Sequence, residues 1–162
     1  MRQNGFTLIE LMVVVGLIGL LLSLVRLSVN NDPAQISLRD AQRLAASLSA
    51  AQAQASASGQ LIRLMTTDGG WHYEIRQRPN LDADPALLGE PLKWQTVESD
   101  EVLGPRQLSL ADTQLRLPSS GVVMGAEPFG INGQPLSLEL VGTNMRHQVV
   151  LERGVARVVT LP

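Results

Sequence analysis

Residues 6–25, FTLIELMVVVGLIGLLLSLV, form an apolar run that carries one acid, Glu10, and no base. As a helix, a run of this length reaches about 30 Å, the thickness of a bilayer's hydrocarbon core. Gly16 and Gly19 are tolerated in it because inside lipid a helix satisfies its own backbone. Arg26 ends the run and is placed to snorkel to the interface. A secretory signal peptide has a shorter apolar stretch and a small-residue cleavage site behind it. The following SLVRLSVNN supplies no such site, so the run reads as a retained anchor. Arg2 and the α-amino group precede it with no acid, which puts the start of the chain in the cytoplasm.

Glu10 constrains the reading further. A carboxylate within a hydrophobic span costs up to about 3 kcal/mol at mid-bilayer and less near an end. Either it reaches water at the interface, or it meets a cation supplied by another molecule; spacing alone leaves both open. In the first 33 residues Arg2 and Arg26 balance Glu10 and Asp32, so the formal charge of −2 falls on the rest of the chain. A domain that holds nucleic acid by its phosphates is normally basic. This one is not, and Lys93 is its only lysine. The absence of cysteine excludes disulfides and thiolate sites.

Behind the run, Asp32 and Pro33 are a helix start signal, and Gly59 is a stop. Between them Leu38, Ala41, Leu44 or Ala45, Leu48, Ala51 and Ala55 recur at helical spacing and define an apolar stripe. The opposite face is read as Arg39, Asp40, Gln42, Arg43, Gln52 and Gln54. Strand patterns follow. LIRLMTTDGGWHYEI is a hairpin about Asp68-Gly69-Gly70, with the inward face of its first strand ambiguous. RPNLDADPALLGEP, residues 78–91, reads as a surface loop. LKWQTV and QLSLADTQLRL are candidate strands, Asn132-Gly133 is a turn, and LSLEL and RHQVVLERGVARVVTL give three more strands with a turn at Arg153-Gly154. One helix and a series of antiparallel strands make an α+β fold, with the helix stripe covering a sheet face.

No catalytic constellation stands out. His72 and His147 each sit in a strand pattern without a second ligand at metal spacing, and are expected to be packed or solvated. Asn80, Asp82 and Asp84 alternate like calcium ligands. Pro85 and Pro91, however, occupy the places where the EF-hand loop needs glycine and glutamate. ESDE at 98–101 reads as solvated surface.

The GFTLIE hexapeptide, followed by the apolar run and preceded by the short basic leader MRQNG, resembles the amino-terminal signature of the type IV pilin and pseudopilin family. The resemblance implies that residues 1–5 are a leader, that prepilin peptidase cuts between Gly5 and Phe6, and that Phe6 is then N-methylated. It also implies that Glu10 pairs with the new amino terminus of a neighbouring subunit and so sets the axial stagger of a filament. The implied fold is pilin-like. A long amino-terminal helix spans the membrane over 6–25, continues in the periplasm over 26–59, and packs on antiparallel sheets of a β-rich domain over 60–162. GQLIRL with its aromatic return strand, and the later PFGINGQPLSLEL and QVVLERGVARVV, resemble the minor pseudopilin H subfamily of type II secretion systems. That subfamily implies a structural subunit, not an enzyme, at or near the tip of a periplasmic pseudopilus that supports export of folded proteins across the outer membrane. Implied partners are the other minor pseudopilins, the major pseudopilin, prepilin peptidase and the inner membrane, with no nucleic acid, metal or cofactor. The alternative is a minor pilin of a type IV pilus, serving pilus assembly, adhesion or DNA uptake. Related minor pilins often carry a cysteine pair, so its absence favours secretion slightly. An anchored enzyme would need a convergent titratable site, for which the sequence offers no candidate.

Overall fold

Pro33 presets the first turn of a helix, and the alanine- and leucine-rich sequence behind it sustains α2 over Pro33–Ser58. The helix stops at Gly59, which adopts φ +63° and donates its N–H to the Ala55 carbonyl at 2.9 Å. The computed structural model describes residues 8–27, 32–77, 92–118, 121–130 and 134–160, with the side chains of 20–27 and 160 excluded. The leader, the 78–91 loop with Asn80, Asp82 and Asp84, and the Asn132-Gly133 turn lie outside the described residues. The chain divides into two units, residues 1–32 and 33–162. The first contains α1 (Leu8–Leu27), and the second contains α2 and all the strands.

The strands form two antiparallel sheets. In the first, β1 (Ile62–Thr67) and β2 (Gly70–Arg76) are a hairpin flanked by β3 (Trp94–Thr96) and by β6 (Val122–Met124), in the order β3-β2-β1-β6. A short β4 (Arg106–Gln107) also pairs with β2, at Gly70 and Trp71. Gly70 is required there, because a Cβ at this position would lie 2.0 Å from the Arg106 carbonyl oxygen. The second sheet has the order β5-β7-β8-β9: β5 (Gln114–Arg116), β7 (Leu136–Val141), β8 (Arg146–Glu152) and β9 (Val155–Thr160). Its last hairpin turns at Arg153-Gly154 as the sequence indicates, both residues having positive φ. The chain is therefore α+β, with a helix packed on antiparallel sheets.

Three strand readings change. QLSLADTQLRL is not one strand: its alternation runs through a turn in which Thr113 N–H bonds to the Leu110 carbonyl at 3.1 Å, leaving β4 and β5 in different sheets. Val122–Met124 pairs with β1 although its three residues carry no legible alternation. The ambiguous strand resolves with Ile62 and Leu64 inward and Arg63 and Met65 on the outer face.

Helix α2 packs mainly on β8 and β9 and also touches β1 and β6, so it serves both sheets rather than one. Ala41, Leu44, Ala45, Leu48, Ala51 and Ala55 are buried, as the stripe predicts. They meet Ile62, Leu64, Trp71, Tyr73, Met124, Leu138, Leu140, Val149 and Leu151 in one core. Arg39, Gln42, Arg43 and Gln54 are exposed. Asp40 and Gln52 are not: each is 1% exposed. Both lie four residues from a core leucine (Leu44 and Leu48), so helical spacing carries them into the interface despite their polarity. They remain there because they are hydrogen-bonded. The Asp40 carboxylate accepts the Ser109 N–H at 2.7 Å and the Ser109 hydroxyl at 2.9 Å, and Gln52 Nε2 donates to the Gly125 carbonyl at 2.8 Å. Two further bonds complete the set. Ser47 Oγ and Tyr73 Oη are 2.9 Å apart, and Ala156 N–H donates to Ser49 Oγ at 2.8 Å. Burial raises the Tyr73 pKa well above the ordinary phenol range, opposed only in part by the Ser47 bond.

On the outer face of the first sheet, Arg63 and Glu74 stand opposite each other and form an ion pair through two guanidinium nitrogens, while His72 Nε2 lies 3.5 Å from the same carboxylate. Burial pushes the Glu74 carboxyl up, but the hydrogen bond and charge of Arg63, joined by His72, outweigh it and leave its pKa below the ordinary value.

Two outcomes are expected in urea unfolding of residues 33–162. Asp40→Ala removes two hydrogen bonds to a charged acceptor and strands the Ser109 N–H. It should cost about 2–3 kcal/mol, whereas Arg43→Ala, on the exposed side of the same contact, should cost less than about 0.5 kcal/mol. Glu74 ionises more readily folded than unfolded, so its stabilisation is complete above its ordinary value of 4.5 and fades as pH falls through its lower folded value. The stability gap between wild type and Glu74→Gln should therefore be widest near neutrality and shrink in acid below pH 4.5.

Candidate functional site

Helix α1 has 20 residues, a length of about 30 Å. Apolar side chains cover its whole circumference: Leu8, Ile9, Leu11, Met12, Val13, Val14, Val15, Leu17 and Ile18 are all exposed, from 46% to 78%. A helix apolar on every side needs a nonpolar surrounding, either lipid or other helices. Gly16 and Gly19 have open space where a Cβ would stand, so the helix can be approached closely on these sides. Over the described side chains, which in this helix stop at Gly19, no helix is long and apolar enough to cross a membrane.

Glu10 sits in the first turn of α1 and is exposed. The first turn is the favourable place for an acid, since the helix dipole presents its positive end there. Gly5 and Phe6, the residues expected at the cleavage and methylation site, lie outside the described residues.

In the second unit the lowered pKa of Glu74 belongs to its ion pair with Arg63, and the other two lowered acids, Asp100 and Asp112, hold turns. The Asp100 carboxylate accepts the N–H groups of Leu103 and Val102 at 2.8 and 2.7 Å, which hold it below the usual range. Asp112 is lowered in the same way by the hydroxyl and N–H of Thr143. His72 is tied to Glu74, and His147 is a packed imidazole, 5% exposed, in the row Leu140–His147–Thr160. Among the described residues no three His, Cys, Asp or Glu side chains cluster as metal ligands. An open cavity of about 740 Å³ follows β3 and the residues after it, from Trp94 to Asp100.

Comparison with known proteins fits this division of the chain. The prokaryotic N-terminal methylation motif matches residues 1–25, and the family described as type II transport protein GspH matches residues 40–154. The type II secretion system protein H of Aeromonas hydrophila is 36% identical over 115 residues, which is 70% of this chain and 56% of that protein. The protein of the same name from Klebsiella michiganensis is 30% identical over 125 residues, 73% of this chain and 67% of that one. The chain thus spans little more than half the length of the Aeromonas relative. The minor pseudopilin EpsH from the type 2 secretion system of Vibrio cholerae has the same fold, with a TM-score of 0.53 at 16% identity over 80% of this chain and 98% of that one. An amino-terminal methylation motif, a largely apolar helix with an acid in its first turn, and a helix seated on two antiparallel sheets coincide in one chain, which belongs to the GspH family of type II transport proteins.

Proposed function

We propose that this chain is a minor pseudopilin: a structural subunit, not an enzyme, of the periplasmic pseudopilus of a type II secretion system. The observation that carries the reading is the GspH family match across the β-rich unit, joined to a methylation motif on an exposed apolar helix. In this reading α1 crosses the inner membrane once, with the amino terminus in the cytoplasm and the second unit in the periplasm, until the subunit enters the filament. Prepilin peptidase cuts between Gly5 and Phe6, and Phe6 is methylated on its new amino group. That group remains a cation in an apolar surrounding, and Glu10 of an adjacent subunit neutralises it. Each charge alone is costly in the filament core, so the pairing fixes the axial register of neighbouring helices. The major pseudopilin and the other minor pseudopilins are its partners, the subunit stands at or near the tip, and the assembly supports export of folded proteins across the outer membrane.

Mass spectrometry of the chain recovered from membranes should find an amino terminus at methylated Phe6. A terminus at Met1, or one far downstream of residue 25, refutes the reading. Glu10→Ala should still be cleaved but should leave a neighbouring amine uncompensated, at about 3–5 kcal/mol. Its incorporation into sheared pseudopili, measured by immunoblot, should fall at least about a hundredfold, and normal incorporation refutes the pairing.

A further inference from the structure

Among the described residues β3 is an edge strand of the first sheet, paired with β2 on one side and with no strand on the other. Gln77 N–H bonds to the Lys93 carbonyl and Val97 N–H bonds to the Tyr73 carbonyl, each at 2.9 Å, on either side of the Ile75–Gln95 pair. Residues 93, 95 and 97 therefore turn their backbone groups toward β2. Residues 94, 96 and 98 turn theirs outward, the alternation that any antiparallel ladder imposes. The cavity of about 740 Å³ follows this edge, with Ile75, Thr96 and Val97 among its walls. It corresponds to a few residues of extended chain laid beside β3.

Charge divides along the same edge. Lys93 stands at its start, where Arg63 and Arg76 flank the Trp94 ring at 4.4 and 6.0 Å from its centre. Glu98, Asp100 and Glu101 stand at its far end, all exposed, and Glu98 and Asp100 line the cavity. We infer that the β3 edge is a docking strand for an extended segment of another protein, which adds to the first sheet by main-chain hydrogen bonds and carries basic residues at the end that meets Glu98 and Asp100. Backbone pairing supplies affinity and the charge gradient supplies direction. The chain's own 78–91 segment is a poor occupant. It carries Asp82, Asp84 and Glu90 against Arg78, and its three prolines have no N–H to give a ladder.

The test uses the full chain in detergent and two fluorescent seven-residue peptides of alternating valine and threonine, one ending in two lysines and the other in two glutamates, read by anisotropy. The lysine peptide should bind about tenfold or more tightly than the glutamate peptide, a gap that high salt narrows. Glu98→Lys with Glu101→Lys, both exposed and neither side chain a partner in the Asp100 cap, should reverse the preference. A lysine peptide N-methylated on alternate amides should lose binding, since it keeps its charge but cannot pair. Equal binding of the two charged peptides, or undiminished binding of the methylated one, overturns the inference. So does binding seen only after 78–91 is replaced by a glycine–serine stretch, which assigns the edge to the chain itself. Sedimentation as a dimer that Glu98→Lys disperses assigns the edge to a second copy and also overturns it.

Discussion

Everything in the second unit depends on seating one helix between two sheets that do not hydrogen-bond to each other. Ala41, Leu44, Leu48, Ala51 and Ala55 supply the attraction, since burying a leucine is worth roughly 1.5–3 kcal/mol. Hydrophobic burial has no direction, however, and a helix held by it alone could slide or rotate. Position comes from polar groups set into the apolar face. Asp40 binds Ser109 ahead of β5, Ser47 binds Tyr73 on β2, Ser49 binds the Ala156 N–H on β9, and Gln52 binds the Gly125 carbonyl behind β6. These bonds reach both sheets and span about three turns of α2, so they fix its register as well as its tilt. Each also satisfies a group that would be costly to bury unpaired.

Much of this was legible in the sequence, and each misreading has its own physical cause. The stripe from Ala41 to Ala55, the stop at Gly59 and the hairpin at Arg153-Gly154 follow from spacing and glycine chemistry and appear where expected. Asp40 and Gln52 were assigned to the solvent side by their polarity, while their spacing to Leu44 and Leu48 places them inside. Where the two signals conflict on a helix that is covered from two directions, spacing decides, because the buried arc is wider than a single-sheet contact requires. β6 was invisible because three residues between Gly121 and Gly125 are too few to show an alternation. The 107–117 pattern misled for the opposite reason: Leu108, Leu110, Leu115 and Leu117 continue an apparent alternation across a turn that only tertiary pairing reveals. At the amino terminus the GFTLIE motif carries the reading of Gly5 and Phe6, which lie outside the described residues, while Glu10 stands in the first turn of its helix.

The two units solve opposite problems. The second buries its apolar residues within itself and shows polar side chains on the outer faces of its sheets, with Arg63–Glu74 on one and Arg146–Glu139 and Arg157–Glu152 on the other. The first leaves its described apolar side chains, Leu8 to Ile18, outward on every side. The described turns of α1 need a nonpolar surrounding, lipid or other helices, whereas the second unit covers its own core. Such a division suits the pseudopilin proposed above, because moving α1 from lipid to neighbouring helices would not ask the second unit to refold.

The sheet edges carry the same logic one level further. An edge strand exposes backbone groups that pair with any extended chain, and proteins shield such edges when they have no use for them. In the second sheet α2 lies against β9, and Ser49 occupies the Ala156 N–H. In the first sheet the corresponding protection is weaker: β3 is short and follows a lysine, but among the described residues no helix or strand lies along its outer side. A helix already committed to both sheets cannot also cover the far edge of one of them. The open edge is therefore the geometric consequence of how α2 is seated, and the acids that gather at its end give it a chemical preference that a merely blunted edge has no reason to carry.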